Sequence, residues 1–156
     1  MEHSEILTGL KQILGDPANR HACLAKVARL INESGNYRWV GLYDVDHVAG
    51  FVTNIVWSGP GAPEFPTFPI TRGLTGSAIS GRTTVNVGNV AADPRYLTAF
   101  ETTKSEIIVP IFGAASRAVV GTIDVESEQP NAFDAKAQSL LEDCAELLRP
   151  LWQAAR

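Results

Sequence analysis

Residues 104–127, KSEIIVPIFGAASRAVVGTIDVES, read as two apolar runs joined by a short polar turn. That is the pattern of a β-hairpin. The second run carries apolar residues at both parities, with Val119, Ile123 and Val125 on one and Val120 and Thr122 on the other. A strand of this kind is covered on both faces of its sheet, so the chain must fold with a sheet as its middle layer. Three acids mark one end of the hairpin: Glu106 where the first run begins, and Asp124 and Glu126 where the second ends.

The remaining segments supply the covering layers. Ser4 is placed to cap a first helix with apolar residues Ile6, Leu7, Leu10, Ile13 and Leu14, ended by Gly15. Asp16-Pro17 reads as the start of a second helix, stopped by Gly35. YRWVGLYDV and FVTNIVWS read as strands around an HVAG turn. The Pro- and Gly-rich stretch 59–69 reads as a loop, GLTGSAISG as a short helix, RTTVNV as a strand, and Asp93-Pro94 as another helix start. After the hairpin, Ala137, Leu140, Leu141, Cys144, Leu147, Leu148, Leu151 and Trp152 recur at helical spacing. Pro150 is expected to kink or end that helix near Arg149.

This order predicts an α+β fold. Its core is an antiparallel sheet of five or six strands, with the N-terminal helices (1–35) and the C-terminal helix (131–149) on one face and segment 59–101 over the other. With 156 residues the chain reads as one domain, divided into 1–35, 36–130 and 131–156.

Composition excludes several classes. The chain is 45% hydrophobic and 19% charged, with net charge −4 and no Lys/Arg cluster to track phosphates. Nucleic acid is therefore not an expected partner, nor is a membrane, because no apolar run is long enough to span one. The N-terminus has no leader pattern. Cys23 and Cys144 form no CxxC motif, which fits a cytoplasmic protein with reduced thiols. His3, His21 and His47 show no metal-ligand spacing, and TRGLTGS lacks the Lys-Ser/Thr pair of a phosphate loop. No cofactor is expected.

Asp124 and Glu126, two apart in a strand, share a face. Turn length decides where Glu106 lands. A five-residue loop, 113–117, pairs Phe112 with Ala118 and puts Glu106 opposite Asp124. A loop one residue shorter shifts the partner to Ile123 and flips the face. Strand-end acids reaching water are the ordinary explanation, since Asp and Glu are seldom buried unpaired. The alternative is a carboxylate trio at a pocket, which would raise at least one pKa and attract a cation such as a ligand ammonium. Trp39, Gly41 and Tyr43 also share a parity. They form either a core aromatic pair or a pocket wall in which Gly41 leaves room.

The stretches WVGLY, FPITRGLTGSA, SEIIVPI, VVGTIDVES and AFDAKAQSLLEDCAELL together resemble a GAF domain, the small-molecule-binding fold of many sensors. More narrowly they resemble the GAF-type free methionine-(R)-sulfoxide reductases. The resemblance implies a pocket built from Trp39, Tyr43, Glu106, Asp124 and Glu126, with the acids holding a free amino acid by its ammonium. The roof is expected from segments 65–76 and 96–100. The reductases' cysteines fall at Phe65, Thr75 and Ala99, so the thiolate chemistry of that family has no nucleophile here. Covalent tetrapyrrole attachment lacks its cysteine as well, and the signature of cyclic-nucleotide GAF domains is missing around NAFDAK.

The expectation is thus a non-catalytic, sensor-type domain for an amino-acid-like or cationic amphipathic metabolite. It would dimerise through its terminal helices and pass any signal to a partner protein. A reductase with an unusual thiol, and an interaction module with a vestigial pocket, are the alternatives.

Overall fold

The computed structural model describes residues 1–16, 19–97, 100–114 and 117–153. Helix α1 (His3–Leu14) starts two residues earlier than a Ser4 cap predicts. Glu2 takes the extended cap conformation, and the Glu5 carboxylate accepts its N–H at 3.0 Å, a reciprocal capping arrangement that leaves Ser4 inside the helix. Gly15 ends α1 as expected. Helix α2 (Arg20–Gly35) is capped by Asn19, whose side-chain oxygen accepts the Ala22 N–H at 2.8 Å, and not by Asp16. Pro17 lies outside the described residues. At the far end Asn36, at φ 51°, supplies the left-handed turn. Gly35 serves a different need, because a Cβ there would sit 2.1 Å from the Tyr37 ring.

Six strands follow: β1 (Trp39–Asp46), β2 (Phe51–Ser58), β3 (Thr67–Pro69), β4 (Val85–Val87), β5 (Ser105–Phe112) and β6 (Val119–Ser127). They form one antiparallel sheet in the order β3-β2-β1-β6-β5-β4. Strand β3 lies in the stretch read as loop. It pairs with Phe51–Thr53 at the sheet edge, the position where a strand tolerates proline.

Helix α3 (Gly73–Gly81) lies over one face. Asp93-Pro94 does not start a helix. A single 3-10 turn, Val90–Ala92, precedes it, and the Asp93 carboxylate instead accepts the backbone N–H and guanidinium of Arg95, an Asx-type turn.

Helix α4 (Ala135–Gln153) begins after Asp134, whose carboxylate accepts the Ala137 N–H at 2.8 Å. Asn131, expected to open the helix, is left-handed at φ 52°. The helix also runs through Pro150 instead of stopping at Arg149. An interior proline costs about 3 kcal/mol. Here the last turn is held by Trp152, which is 1% exposed in the core, and by Arg20, which donates to the Leu151 carbonyl and stacks on the Trp152 ring.

Helices α1, α2 and α4 cover one face of the sheet, where Val40, Leu42, Ile107, Val109, Ile111, Ile123 and Val125 meet Leu24, Val27, Leu141 and Leu148. The other face carries Trp39, Tyr43, Val45, Val52 and Val119 under Phe68 and Ile79. Val119 therefore departs from its expected parity with Ile123 and Val125. A bulge is the cause: Ile111 pairs with Gly121 but Phe112 with Val119, so Val120 is the extra residue and packs on the helix side. No described helix is long and apolar enough to cross a membrane.

Candidate functional site

The bulge also settles Glu106. The connection between Phe112 and Val119 is six residues, one longer than the reading that puts Glu106 on the acids' face. By itself this would flip the face. The extra residue Val120 flips it back, so Glu106 pairs with Glu126 and Asp124 with Ile108. Across β1, Trp39 lies opposite Glu126 and Gly41 opposite Asp124. Strand pairing thus brings Trp39, Tyr43, Glu106, Asp124 and Glu126 to one side of the sheet, where all five line one cavity of about 40 Å³.

The acids are buried: Glu106 is 6% exposed, Asp124 7% and Glu126 1%. One oxygen from each lies within 4.8 Å of the other two. Glu126 Oε1 accepts from the Thr103 hydroxyl at 2.9 Å and the Tyr96 hydroxyl at 3.3 Å. Asp124 Oδ1 is buried with no hydrogen-bond partner. No ion pair reaches the three among the described residues.

Two carboxylates 4 Å apart repel by about 4 kcal/mol at an effective dielectric near 20. Burial, then the charges of Asp124 and Glu126, push Glu106 well above the usual carboxylate range. Asp124 is raised in the same way, by burial and then by Glu126. Burial also raises Glu126, against the bonds from Thr103, Glu106 and Tyr96 and the pull of Arg38. All three are thus biased toward their protonated forms, Glu106 and Asp124 most strongly. A cation with hydrogen-bond donors would relieve the cluster, and so would a metal ion, for which three oxygens are few.

The aromatic wall is tighter than the W-x-G-x-Y spacing suggests. Gly41 leaves no open gap, because the Trp39 ring folds over it and a Cβ there would lie 2.2 Å from that ring and 2.9 Å from Tyr43. Trp39 Nε1 donates to the Gly61 carbonyl at 3.1 Å. Its ring lies 6.3 Å from Tyr43 and 5.6 Å from Phe100, and Tyr43 meets the Phe68 edge at 5.9 Å.

The roof comes from Phe65, Phe68, the first turn of α3 and Leu97. Phe65 and Thr75, two of the three positions matched to reductase cysteines, both line the cavity. Ala99, the third, lies outside the described residues. Arg72 and Tyr96 fall inside the expected roof segments but were not singled out by sequence reasoning, which missed Thr103 altogether. Arg72 could have been found from its place directly before the Gly-rich start of α3, whereas nothing local marks Thr103.

Cys144 belongs to the helix-side core, where burial pushes its thiol up to about 12. Cys23 is buried on α2, with its sulfur 3.9 Å from the Ile13 carbonyl. Neither lines the cavity. A wider groove of about 280 Å³ runs between α4 and the outer edge of β5. Its Glu142, Glu146 and Arg149 already have partners, so the cavity with the unsatisfied acids is the better candidate.

A sheet with helices on one face and a small polar-and-aromatic cavity on the other defines a ligand-pocket domain. The model of the GAF domain family matches residues 19–149. The chain belongs to the GAF domain family. It is 29% identical over 147 residues to GAF domain-containing protein A of Dictyostelium discoideum, covering 94% of this chain and 90% of that protein. Among solved structures it is similar to the free methionine-R-sulfoxide reductase of Neisseria meningitidis in complex with its substrate. There the TM-score is 0.89 at 30% identity, covering 99% of this chain and 90% of that one. It is also similar to the type II free methionine-R-sulfoxide reductase of Thermoplasma acidophilum. That match has a TM-score of 0.78 at 27% identity, over 85% of this chain and 91% of that one.

Proposed function

We infer that this protein is a non-catalytic, sensor-type ligand-binding protein whose ligand is a small molecule with a primary ammonium and an apolar part, of amino-acid type. The observation that carries this reading is the buried trio Glu106, Asp124 and Glu126, with an unpartnered Asp124 oxygen, set against the Trp39–Tyr43 wall. An ammonium offers three donors to three carboxylates. Across the cavity, Arg72 and the first residues of α3 line the wall. A helix start with unpaired N–H groups beside a guanidinium suits a ligand carboxylate. The cavity of about 40 Å³ holds only a few waters, so a ligand must push back the roof of Phe65 and Leu97 on entry.

The non-catalytic part of the reading is supported by Phe65 and Thr75 lining the pocket where a thiol would be needed, and by both cysteines being buried away from it. The likeness to the reductases favours one second reading, a sulfoxide reductase with an unusual thiol. Buried free thiols fit a cytoplasmic setting. A signalling partner, and a dimer through the terminal helices, complete the proposal. The exposed positions of α1 and α2 are mostly polar, among them Lys11, Gln12, Lys26, Arg29 and Glu33, so such a dimer would rest on polar contacts. Calorimetric titration with the twenty free amino acids and methionine sulfoxide tests the ligand reading. Absence of binding by all of them would leave an interaction module with a vestigial pocket. A coupled assay for reduction of free methionine sulfoxide tests the reductase.

A further inference from the structure

Resting on the ligand reading above, we propose that the trio is a proton–ammonium exchanger. Shared protons hold the three carboxyl groups together in the free protein, and a ligand's primary ammonium replaces them and sends about one proton to solvent per molecule bound.

The geometry carries this. Strand pairing fixes Glu106 directly opposite Glu126, and all three acids offer an oxygen within 4.8 Å of one another. None can swing to water, because each is more than nine-tenths buried. The protein supplies little counter-charge. Tyr43 on β1 is kept neutral by burial and by the acids themselves, and the Tyr96 and Thr103 hydroxyls that bond Glu126 carry no positive charge. Arg38 pulls on Glu126 from the start of β1, but its Nε is spent on Thr102 and its guanidinium lies over Phe100. Arg72 lines the opposite wall and is exposed. Strands β2 to β4 and the rest of α3 bring no charge to the cavity lining. With no cation bonded to them, acids this close must share protons.

Asp124 Oδ1 shows that the arrangement is incomplete. It is buried, lines the cavity side of β6 and lacks a donor. A carboxyl proton can join two of the acids at a time. An ammonium brings three N–H donors and one positive charge, so it can bond all three and expel the proton that its charge makes unnecessary. The balance is simple: a carboxyl group and R–NH3+ become a carboxylate bonded to R–NH3+ and a free proton. A trimethylated nitrogen has the charge but no N–H, so it cannot replace a shared proton. The site therefore selects primary ammonium over methylated ammonium, and binding tightens as pH rises.

The test begins without ligand. Infrared spectra of the free protein at neutral pH, wild type minus Glu106→Gln, should show the carbonyl band of a protonated carboxyl group. Titration with methionine sulfoxide and the twenty free amino acids then follows, in phosphate and in Tris, whose heats of ionisation differ. Any binder should release about one proton, tighten by about tenfold per pH unit while the band is still present, and lose at least tenfold in affinity when its nitrogen is trimethylated. Absence of the band overturns the proposal whatever binds. A band together with binding that releases no proton overturns the exchange and leaves the ligand reading standing. A band with no binder among these compounds overturns both.

Discussion

On the helix side of the sheet, Ile107, Val109 and Ile111 of β5 and Ile123 and Val125 of β6 meet Leu24, Val27, Leu141 and Leu148. On the other side the same two strands turn Glu106, Asp124 and Glu126 toward Trp39 and Tyr43. Burial is nearly equal on the two sides, and what differs is the kind of group that is buried. The helix side is packed hydrocarbon that gains from leaving water, with the Trp152 Nε1 as its one unpartnered buried side-chain atom among the described residues. The pocket side carries an Asp124 oxygen and, opposite Tyr43, a Thr122 hydroxyl, each without a partner. One layer stabilises the fold, and the other is strained in the way functional sites are.

If that contrast holds, neutralising a buried acid on the pocket side should have the opposite sign to removing a packed side chain from the helix side. The largest loss is expected on the helix side. Trp152→Ala removes the side chain that anchors the last turn of α4 beyond Pro150 and should cost about 3–5 kcal/mol in denaturant unfolding. On the pocket side Gly41→Ala should cost less, about 1–3 kcal/mol, because its methyl must displace the Trp39 ring. It should also abolish ligand binding.

Glu106→Gln should go the other way. The folded pKa of Glu106 is raised above its unfolded value near 4.3. Its stability is thus fully present below about pH 4 and is lost as pH rises toward the folded pKa. The amide removes that loss. The variant should gain on the wild type with rising pH, by about 1 kcal/mol or roughly 2–4 °C in Tm at neutral pH. The same change should weaken an ammonium ligand by about 1.5–3 kcal/mol, as should Asp124→Asn, with exposed Glu64→Gln as a silent control. A Glu106→Gln protein less stable than wild type at pH 8 would erase the contrast between the faces.

The two faces also differed in how far the sequence revealed them. The helix side was plain, because apolar residues at period 2 in strands and 3.6 in helices admit one arrangement. The acids' common face was readable only through the hairpin register, and the turn length alone misleads. Its hint was Gly121, an isolated glycine within a strand pattern, which often marks a bulge. A Cβ there would meet Trp152 Nε1 at 2.3 Å. Ser4, Asp16 and Asp93 misled because each is a good cap in isolation, and the choice among neighbouring caps falls to packing. Thr103 sits just before β5 and acquires its role only when the fold brings it to Glu126.

The smallest effect expected concerns the thiols, and it sharpens the comparison most directly. Cys144 lies in the helix-side core and Cys23 beneath α1, while Phe65 and Thr75 occupy the pocket wall. A thiol pushed up to about 12 is almost wholly protonated at neutral pH and is a poor nucleophile. Cys144→Ala should therefore cost only about 1 kcal/mol, the transfer energy of a small buried group. It should leave pocket affinity unchanged, and the wild type should show no thiol-dependent turnover of free methionine sulfoxide. A thiol-exchange reagent should modify neither cysteine until the protein unfolds. Turnover that vanished with Cys23→Ala or Cys144→Ala would mean that the helix side takes part in chemistry after all, and the division of labour between the two faces would fall.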